Sequence, residues 1–558
     1  MRDITVHMDD GAIITCPFGT RIEELAPRFA PQDSPVVAAK ANNAIVSLGM
    51  RLEVNTRLSP VPLFSQQGSM VYRRSLAFLL AKAAHEVLPD HSLQIGHSLG
   101  YGYYYTFSDD HVPGKKELSA LAERMHKLVA EDLPLRYYSL SYADACELFA
   151  ESAQEDTYLL LEHINAYSVS VNECQGFTDL AVAPLVPRSS ILTAFEIMPY
   201  ENGFLLRFPA THNRGVIEPF VDSPRIFSVY KEYKMWGRSV GVNSVGQLNR
   251  RISEGEIKEF IQISEAFQNK KLAEIADRVY QNRDRAKIVL IAGPSSSGKT
   301  TTAKRLSIFL RVMGLEPLAI SLDDYYLGAE AAPRNEKGEP DFECLEALDV
   351  PYFNQQLLEL LDGREVEIPV FDFKIGARRP LANAREEARH RIKLGPRSVL
   401  VVEGIHGLND ALSYQVPREN KFKMYVSALT QLNLDDHNRI PTSDNRLVRR
   451  MVRDHNFRNY GAGKTIKMWP NVQAGEKKHI FPFQDSADVA FNSALDYELS
   501  VLKVYAEPLL RSVKPTMEEY AEASRILAFL DNFSPIPSFM VPNQSILREF
   551  IGGSEFKY

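Results

Sequence analysis

Cysteine is scarce in this sequence: four residues among 558 (Cys16, Cys146, Cys174 and Cys344), with no C-x-x-C pair. That excludes a disulfide framework and fits a reducing compartment. No run of 18 apolar residues occurs, so a membrane-spanning helix is not expected. Basic charge is not in excess. Lys and Arg number 64 against 71 Asp and Glu, a net charge of -7, which argues against a broad nucleic-acid-coating surface and leaves room for a local basic groove. The opening MRDITVHMDDGAIIT is acidic where a signal peptide needs an apolar stretch. The expectation is a soluble, cytoplasmic protein without a membrane partner. Internal repeats and low-complexity segments are absent as well.

What remains is the composition of a globular protein, 45% hydrophobic and 24% charged. At 558 residues the chain exceeds one core, and several domains are expected. Residues 1–65 alternate strand-like pieces around one short helix, a small α+β module. Residues 66–215 open with the amphipathic RRSLAFLLAKAAHEVL and continue through GHSLGYGYYYTF and a second helix. A helical connector spans 216–285, with Ile257, Phe260, Ile261, Ile263 and Phe267 near helical spacing as a packing face. From 286 to 515 the texture changes. KIVLIA, PLAISL, SVLVVEGI, KFKMYVSA and ADVAFNSA are short, unbroken apolar runs separated by helices, as a parallel sheet covered on both faces requires. Residues 516–558 form a helical, then proline-rich, tail.

Gly293-Pro-Ser-Ser-Ser-Gly298-Lys299-Thr300 matches G-x-x-x-x-G-K-[ST]. It follows one of those strands and opens a helix. The glycines allow backbone N–H groups to turn onto phosphate oxygens at a positive helix end. The expected ATP cradle is Gly293, Ser295, Ser296, Ser297, Gly298, Lys299, Thr300 and Thr301. Lys299 would reach the β- and γ-phosphates and the Thr300 hydroxyl would ligate Mg²⁺. A guanine-reading N-K-x-D is missing; NLDD at Asn433 lacks the lysine. A kinase acting on a hydroxyl needs a carboxylate near the γ-phosphate. AISLDDYYL offers Asp323 and Asp324 at a strand end, where only one can face the phosphates. SVLVVEGI ends in Glu403, a candidate support for Mg²⁺. Arg446, Arg449, Arg450 and Arg453 fall at i, i+3, i+4 and i+7, either a solvated, salt-bridged face or a clamp on the transferred phosphoryl group.

These pieces, in this order, resemble the uridine kinase and phosphoribulokinase family over about 286–500. The family's strand-end S-x-D-x-F/Y-Y is similar to SLDDYY, which implies Asp323 as the catalytic base. Its FDHPDAFD resembles FECLEALD, with Glu343 and Glu346 as the acids that meet a ribose. Its YDFxxHxR resembles FDFKIGAR, implying substrate contacts from Phe371 and Arg378. Its RRxxRD implies phosphoryl-stabilising roles for Arg449 and Arg453, and Arg458 matches the next lid arginine. Phe371 and Gly376 stand where uridine kinases carry Tyr and His against the pyrimidine, a loss of polar partners that relaxes base selectivity.

The first 215 residues resemble the amino-terminal part of threonyl-tRNA synthetases, a β-grasp TGS domain followed by an editing-type α+β domain. GHSLGYGYYYTF is similar to their IGPxxxxGFYYDF, and QGFTDLAVAPLVP to their QGxFxDLCRGPHVP. The editing histidines and cysteine are replaced by Arg74, Phe78, Ala181 and Leu185, so hydrolytic editing is not expected there.

The fold class expected is therefore a multidomain α/β protein whose P-loop parallel-sheet domain follows the two synthetase-like modules. The function expected is ATP-dependent phosphorylation of a small-molecule hydroxyl, such as a nucleoside 5′-hydroxyl. Two alternatives stay open: a kinase for a non-pyrimidine metabolite, and an RNA-interacting protein with a nucleotide switch, its tRNA or RNA contact made by the amino-terminal half. Homo-oligomerisation is also left open.

Overall fold

The computed structural model describes residues 3–28, 34–152, 154–213, 215–328, 330–334, 338, 340–372 and 375–557. The first module is one mixed five-stranded sheet of β1 (Asp3–Met8), β2 (Ile13–Pro17), β3 (Val36–Ala41), β4 (Ala44–Val46) and β5 (Thr56–Pro62), in the order β2-β1-β5-β3-β4. Two antiparallel hairpins flank a central parallel pair, β1 beside β5. This fits the small α+β module expected from the alternating residues and the β-grasp arrangement that the resemblance implies.

A 22-residue helix follows, α1 (Gln66–Val87), capped by the Ser65 side chain, which accepts from Gly68 N–H at 2.9 Å. It packs with α2 (Lys115–Ala130) beside a four-stranded antiparallel sheet, β11-β12-β7-β6, of β6 (Leu93–Ser98), β7 (Gly102–Phe107), β11 (Glu196–Tyr200) and β12 (Gly203–Arg207). A three-stranded sheet of β8 (Arg136–Ser141), β9 (Ser168–Cys174) and β10 (Phe177–Leu180) completes this module. Helices α3 (Pro224–Val240), α4 (Val245–Ser253) and α5 (Ile257–Gln281) form the connector. Along α5 the residues Ile257, Phe260 and Ile261 are buried, and Phe267 stacks on Trp236 at 4.6 Å. Ile263, expected on the packing face, is exposed: it lies off the stripe set by 257, 260 and 261.

The apolar runs after 286 become five parallel strands: β13 (Ile288–Ala292), β14 (Glu316–Ser321), β15 (Ser398–Glu403), β16 (Lys421–Ser427) and β17 (Val489–Asn492). Their order is β14-β15-β13-β16-β17. All residues of β13 are buried, and β13 lies between the strands leading away in opposite directions. That is the point where the strand order reverses, and a crevice opens there at the carboxyl ends. The P-loop begins at that position. Among the described residues no helix is long and apolar enough to cross a membrane.

The two halves share buried contacts. The loop 433–439 of the carboxy-terminal half enters the cleft of the editing-like module. Asn433 donates its side-chain N–H to the Ile95 carbonyl at 2.6 Å, and Ile95 N–H donates to the Asp436 carbonyl at 2.8 Å. Arg74 donates to the His437 carbonyl at 3.0 Å and pairs with Asp179 at 3.4 Å; His437 pairs with the same carboxylate. Burial works against charge on Asp179, but His437 and Arg74 outweigh it and hold its pKa below the ordinary value. Burial also opposes the His437 imidazolium, and Asp179, Asp436 and Asp435 overcome it, so that pKa is raised.

The signs give a stability window. The depressed Asp179 contributes stability above the unfolded carboxylate pKa that is lost as pH falls; the raised His437 contributes stability at acid pH that is lost as pH rises through its folded value. Asp179→Asn is expected to cost about 3–5 kcal/mol by removing the carboxylate that pairs with both Arg74 and His437, which Asp435 and Asp436 only partly replace. A thermal melt at pH 6 should show the loss, and an unshifted midpoint would contradict it.

Candidate functional site

The cradle is built by backbone that other residue types resist. A Cβ at Gly293 would lie 1.9 Å from the Val426 carbonyl oxygen, so only glycine lets the loop leave β13 so close to β16. Ser296 (φ 59°) and Gly298 (φ 79°) take left-handed conformations, which turn successive N–H groups to one side. Helix α6 (Lys299–Val312) begins there, with its first-turn N–H groups facing the loop's concavity. The Ser296, Ser297 and Thr302 hydroxyls are buried without a hydrogen-bond partner, a surplus of polar groups that suits a phosphate ligand.

Strand register brings the acids in. Ser321, Glu403 and Ile291 lie side by side at the strand ends. Glu403 accepts from the Thr300 and Ser321 hydroxyls, each at 3.2 Å. Burial, Asp323 and Glu549 push its pKa up to about 7 against the pull of Lys299 and the Thr300 hydrogen bond. Asp323 lies in a 3₁₀ turn, Leu322–Tyr325, at the end of β14. Burial raises its pKa, opposed by Lys299, Arg458 and Arg453. Asp324 faces elsewhere: it accepts from Phe371 N–H at 3.2 Å, and burial lifts it to about 6. The two adjacent acids thus meet different groups: Asp323 lies among Lys299, Arg453 and Arg458, and Asp324 is bonded to Phe371. Lys299 donates to the Pro294 carbonyl at 3.1 Å, and burial lowers its pKa despite Glu403, Asp323 and Glu549 around it. Thr300 and Glu403 fit a Mg²⁺ ion that keeps most of its ligands as water and phosphate oxygen. Among the described residues no group of three or more His, Cys, Asp or Glu would hold a metal alone.

The arginine helix, α7 (Thr442–Arg458), is not a solvated face: Arg446, Arg449 and Arg450 are buried. Arg446 donates to the Ser295 carbonyl at 2.9 Å and pairs with Glu476, which also accepts from Ser295 N–H at 2.9 Å. Arg449 pairs with Glu498 and donates to the Ser296 carbonyl at 3.3 Å. Arg450 donates to the Ser295 hydroxyl at 2.6 Å. Three guanidiniums therefore grip the P-loop from outside. Arg453 and Arg458 share Asp454 and are the two that act on Asp323 electrostatically.

The remaining sequence-derived residues divide. Glu343 points toward the cradle, where burial and Glu476 raise its pKa to about 7 against Arg450 and Lys299. Glu346 is exposed. The Phe371 ring lies 5.6 Å from Tyr326, itself close to Asp323 and Glu343. Arg378 is held by Asp349 at 3.1 Å and the Tyr325 carbonyl at 2.9 Å. Phe373 and Lys374 of the same segment lie outside the described residues. Reading the sequence missed Glu476, Glu498, Glu549 and the buried His406, whose pKa burial and His479 push down to about 4. Each of the three glutamates is at least 30 residues from the partner it meets, so local spacing carried no signal for it.

In the amino-terminal cleft, Arg74 is engaged with Asp179 and His437, and Phe78 and Leu185 are buried. Arg74 thus serves an ion-pair cluster, and Phe78 and Leu185 serve packing.

Comparison with known proteins agrees with this division. Residues 288–500 match the model of the Phosphoribulokinase / Uridine kinase family. The amino-terminal half is similar to threonine–tRNA ligases: 29% identical over 198 residues to that of Geobacter sp. (strain M21), covering 35% of this chain and 31% of the ligase. With the ligase of Desulforamulus reducens the identity is 30% over 199 residues, again 35% of this chain and 31% of that protein. The chain thus spans about a third of the length of these relatives. Among solved structures, the "Possible Uridine Kinase from Bacillus stearothermophilus" aligns at 19% identity and TM-score 0.22, over 39% of this chain and 100% of that one. The D-glycerate 3-kinase from Cryptococcus neoformans var. grubii aligns at 15% identity and TM-score 0.22, over 47% and 87%. The carboxy-terminal half carries a Phosphoribulokinase / Uridine kinase family domain, and the amino-terminal half is related to threonine–tRNA ligases.

Proposed function

We propose that the carboxy-terminal half catalyses ATP-dependent phosphorylation of a small-molecule hydroxyl, with the 5′-hydroxyl of a nucleoside as acceptor. The observation that supports this most is the half-buried Asp323 carboxylate at the strand end, close to Lys299 and flanked by Arg453 and Arg458. In this reading Asp323 takes the proton of the acceptor hydroxyl as its oxygen bonds to the γ-phosphorus. The bond from that phosphorus to the β–γ bridging oxygen breaks, and ADP leaves with the electron pair. Lys299, Arg453 and Arg458 hold the charge that spreads over the transferred oxygens. Bound Mg²⁺ would supply further neutralisation between the β- and γ-phosphates, with the Thr300 hydroxyl as ligand and Glu403 orienting it. Glu343 faces the acceptor side. Arg449, paired with Glu498, braces the P-loop and does not meet the phosphoryl group directly.

Phe371 and Gly376 favour a second acceptor class, a non-pyrimidine metabolite, because neither offers a side-chain hydrogen bond to a pyrimidine. An RNA-binding switch receives less support, since the amino-terminal cleft is filled by the chain's own residues 433–439. The test is to incubate purified protein with ATP and Mg²⁺ and a panel of nucleosides and sugars, following ADP. Acceptor-dependent ADP release is expected. Equal ADP with and without every acceptor would sink the kinase reading and favour the switch.

A further inference from the structure

The tail after 516 does not trail away from the domain. Helix α8 (Tyr520–Leu530) packs into the main core, and the chain then returns across the P-loop. Ile546, Leu547 and Phe550 are fully buried, and the Arg449 guanidinium lies 5.0 Å from the Phe550 ring. Lys304 of α6 donates to the carbonyl of Lys557. The tail backbone is therefore anchored on both sides of one side chain, Glu549.

That carboxylate sits at the mouth of the cradle. Its Oε2 accepts from Thr301 N–H at 3.2 Å and from the Thr301 hydroxyl at 2.5 Å. Thr301 is the third residue of α6, so this N–H is among the donors that a helix start leaves without an intrahelical acceptor. In a P-loop such donors cradle the α- and β-phosphates. Glu549 is also close enough to act on Lys299 and Glu403. Three carboxylates thus surround one lysine. Asp323 and Glu403 have work in the proposed chemistry, whereas the charge of Glu549 only repels an incoming polyphosphate.

We propose that Glu549 is an internal occupant of the nucleotide cradle: its carboxylate holds the Thr301 donors while the cradle is free, and a nucleotide's phosphates must expel it. This rests on the reading that the cradle binds nucleotide. Because the flanking backbone is anchored, the side chain swings out and the tail stays docked. The occupied fraction lowers apparent nucleotide affinity in proportion, and whatever stabilises the expelled state raises it.

The experiment is calorimetric titration of the full-length protein with ADP and Mg²⁺, comparing wild type with Glu549→Gln and Glu549→Ala. Glu549→Gln removes the charge at constant shape, and Glu549→Ala guards against a compensating amide contact. Dissociation constants about tenfold lower in both variants are expected, from a carboxylate's preference for a helix start. The nucleotide-dependent rise in melting temperature should also be larger than in wild type. Unchanged or weaker affinity in both variants, beside measurable binding by wild type, overturns the proposal and leaves the cradle assignment standing. Absence of ADP binding by all three proteins overturns both together.

Discussion

Asp323→Asn is expected to lower kcat by about 10²–10⁴-fold, the usual contribution of a positioned general base, with nucleotide affinity close to wild type. Asparagine keeps the shape of the side chain and the 3₁₀ turn at the end of β14, so positioning survives while proton acceptance is lost. The pH dependence carries the sharper signature. Burial raises the Asp323 pKa above the ordinary carboxylate value, and Lys299, Arg458 and Arg453 only partly offset it. A base must be deprotonated to work, so wild-type activity should fall as pH drops through that raised value. The acid limb should therefore lie at higher pH than an exposed aspartate would give, and Asp323→Asn should abolish the limb along with the rate. A variant that keeps both its rate and its acid limb would assign the base elsewhere. Asp324 is the control: its carboxylate is bonded to Phe371 N–H, so Asp324→Asn should leave the limb in place.

The sequence was most readable where structure is local. The five apolar runs after 286 became the five strands of the parallel sheet; burial on both faces leaves unbroken Val, Ile and Leu in the central strands β13 and β15. The cradle was readable because its two glycines sit at fixed spacing, Gly293 for the close approach to Val426 and Gly298 for its left-handed φ. Alternation suggested that only one of Asp323 and Asp324 faces the cradle and the family motif chose Asp323, although the pair sits in a turn and not on the strand. What stayed hidden joins distant segments. The arginine spacing of α7 fits a solvated face as well as a buried one; what decides is Glu476 and Glu498, which lie on other helices and neutralise Arg446 and Arg449. Glu549 meets Thr301 across 248 residues. The 433–439 loop meets Arg74 and Ile95, each more than 300 residues earlier in the chain. No periodicity encodes such meetings, since each is fixed by the packing of whole elements. Arg378 shows the converse. Its motif implies substrate contact, while its guanidinium is spent on Asp349 and the Tyr325 carbonyl.

Lys299→Ala is expected to reduce turnover by about 10²–10³-fold, or roughly 3–4 kcal/mol of transition-state stabilisation, and to weaken nucleotide binding as well. The reason is the local charge balance. Lys299 is the cation placed among Glu403, Asp323 and Glu549. Without it, those carboxylates face one another and the incoming phosphates with less counter-charge, Lys304 of α6 still acting on Glu403 and Glu549. The Asp323 and Glu403 pKa values should rise further, since Lys299 now pulls both down. The residual activity of Lys299→Ala should accordingly show an acid limb at higher pH than wild type. The alkaline side should change too. Burial lowers the Lys299 pKa, so its ammonium is lost earlier than an exposed lysine's as pH rises, and wild type should lose rate there. Lys299→Ala has no such group and should not. The fold should survive, because the Lys299 ammonium makes one hydrogen bond, to Pro294 within the same loop, and removing a buried cation relieves its desolvation. Circular dichroism and a melting midpoint near wild type would separate loss of chemistry from loss of structure. Undiminished turnover in a folded Lys299→Ala protein would mean that the phosphates are held somewhere other than this loop.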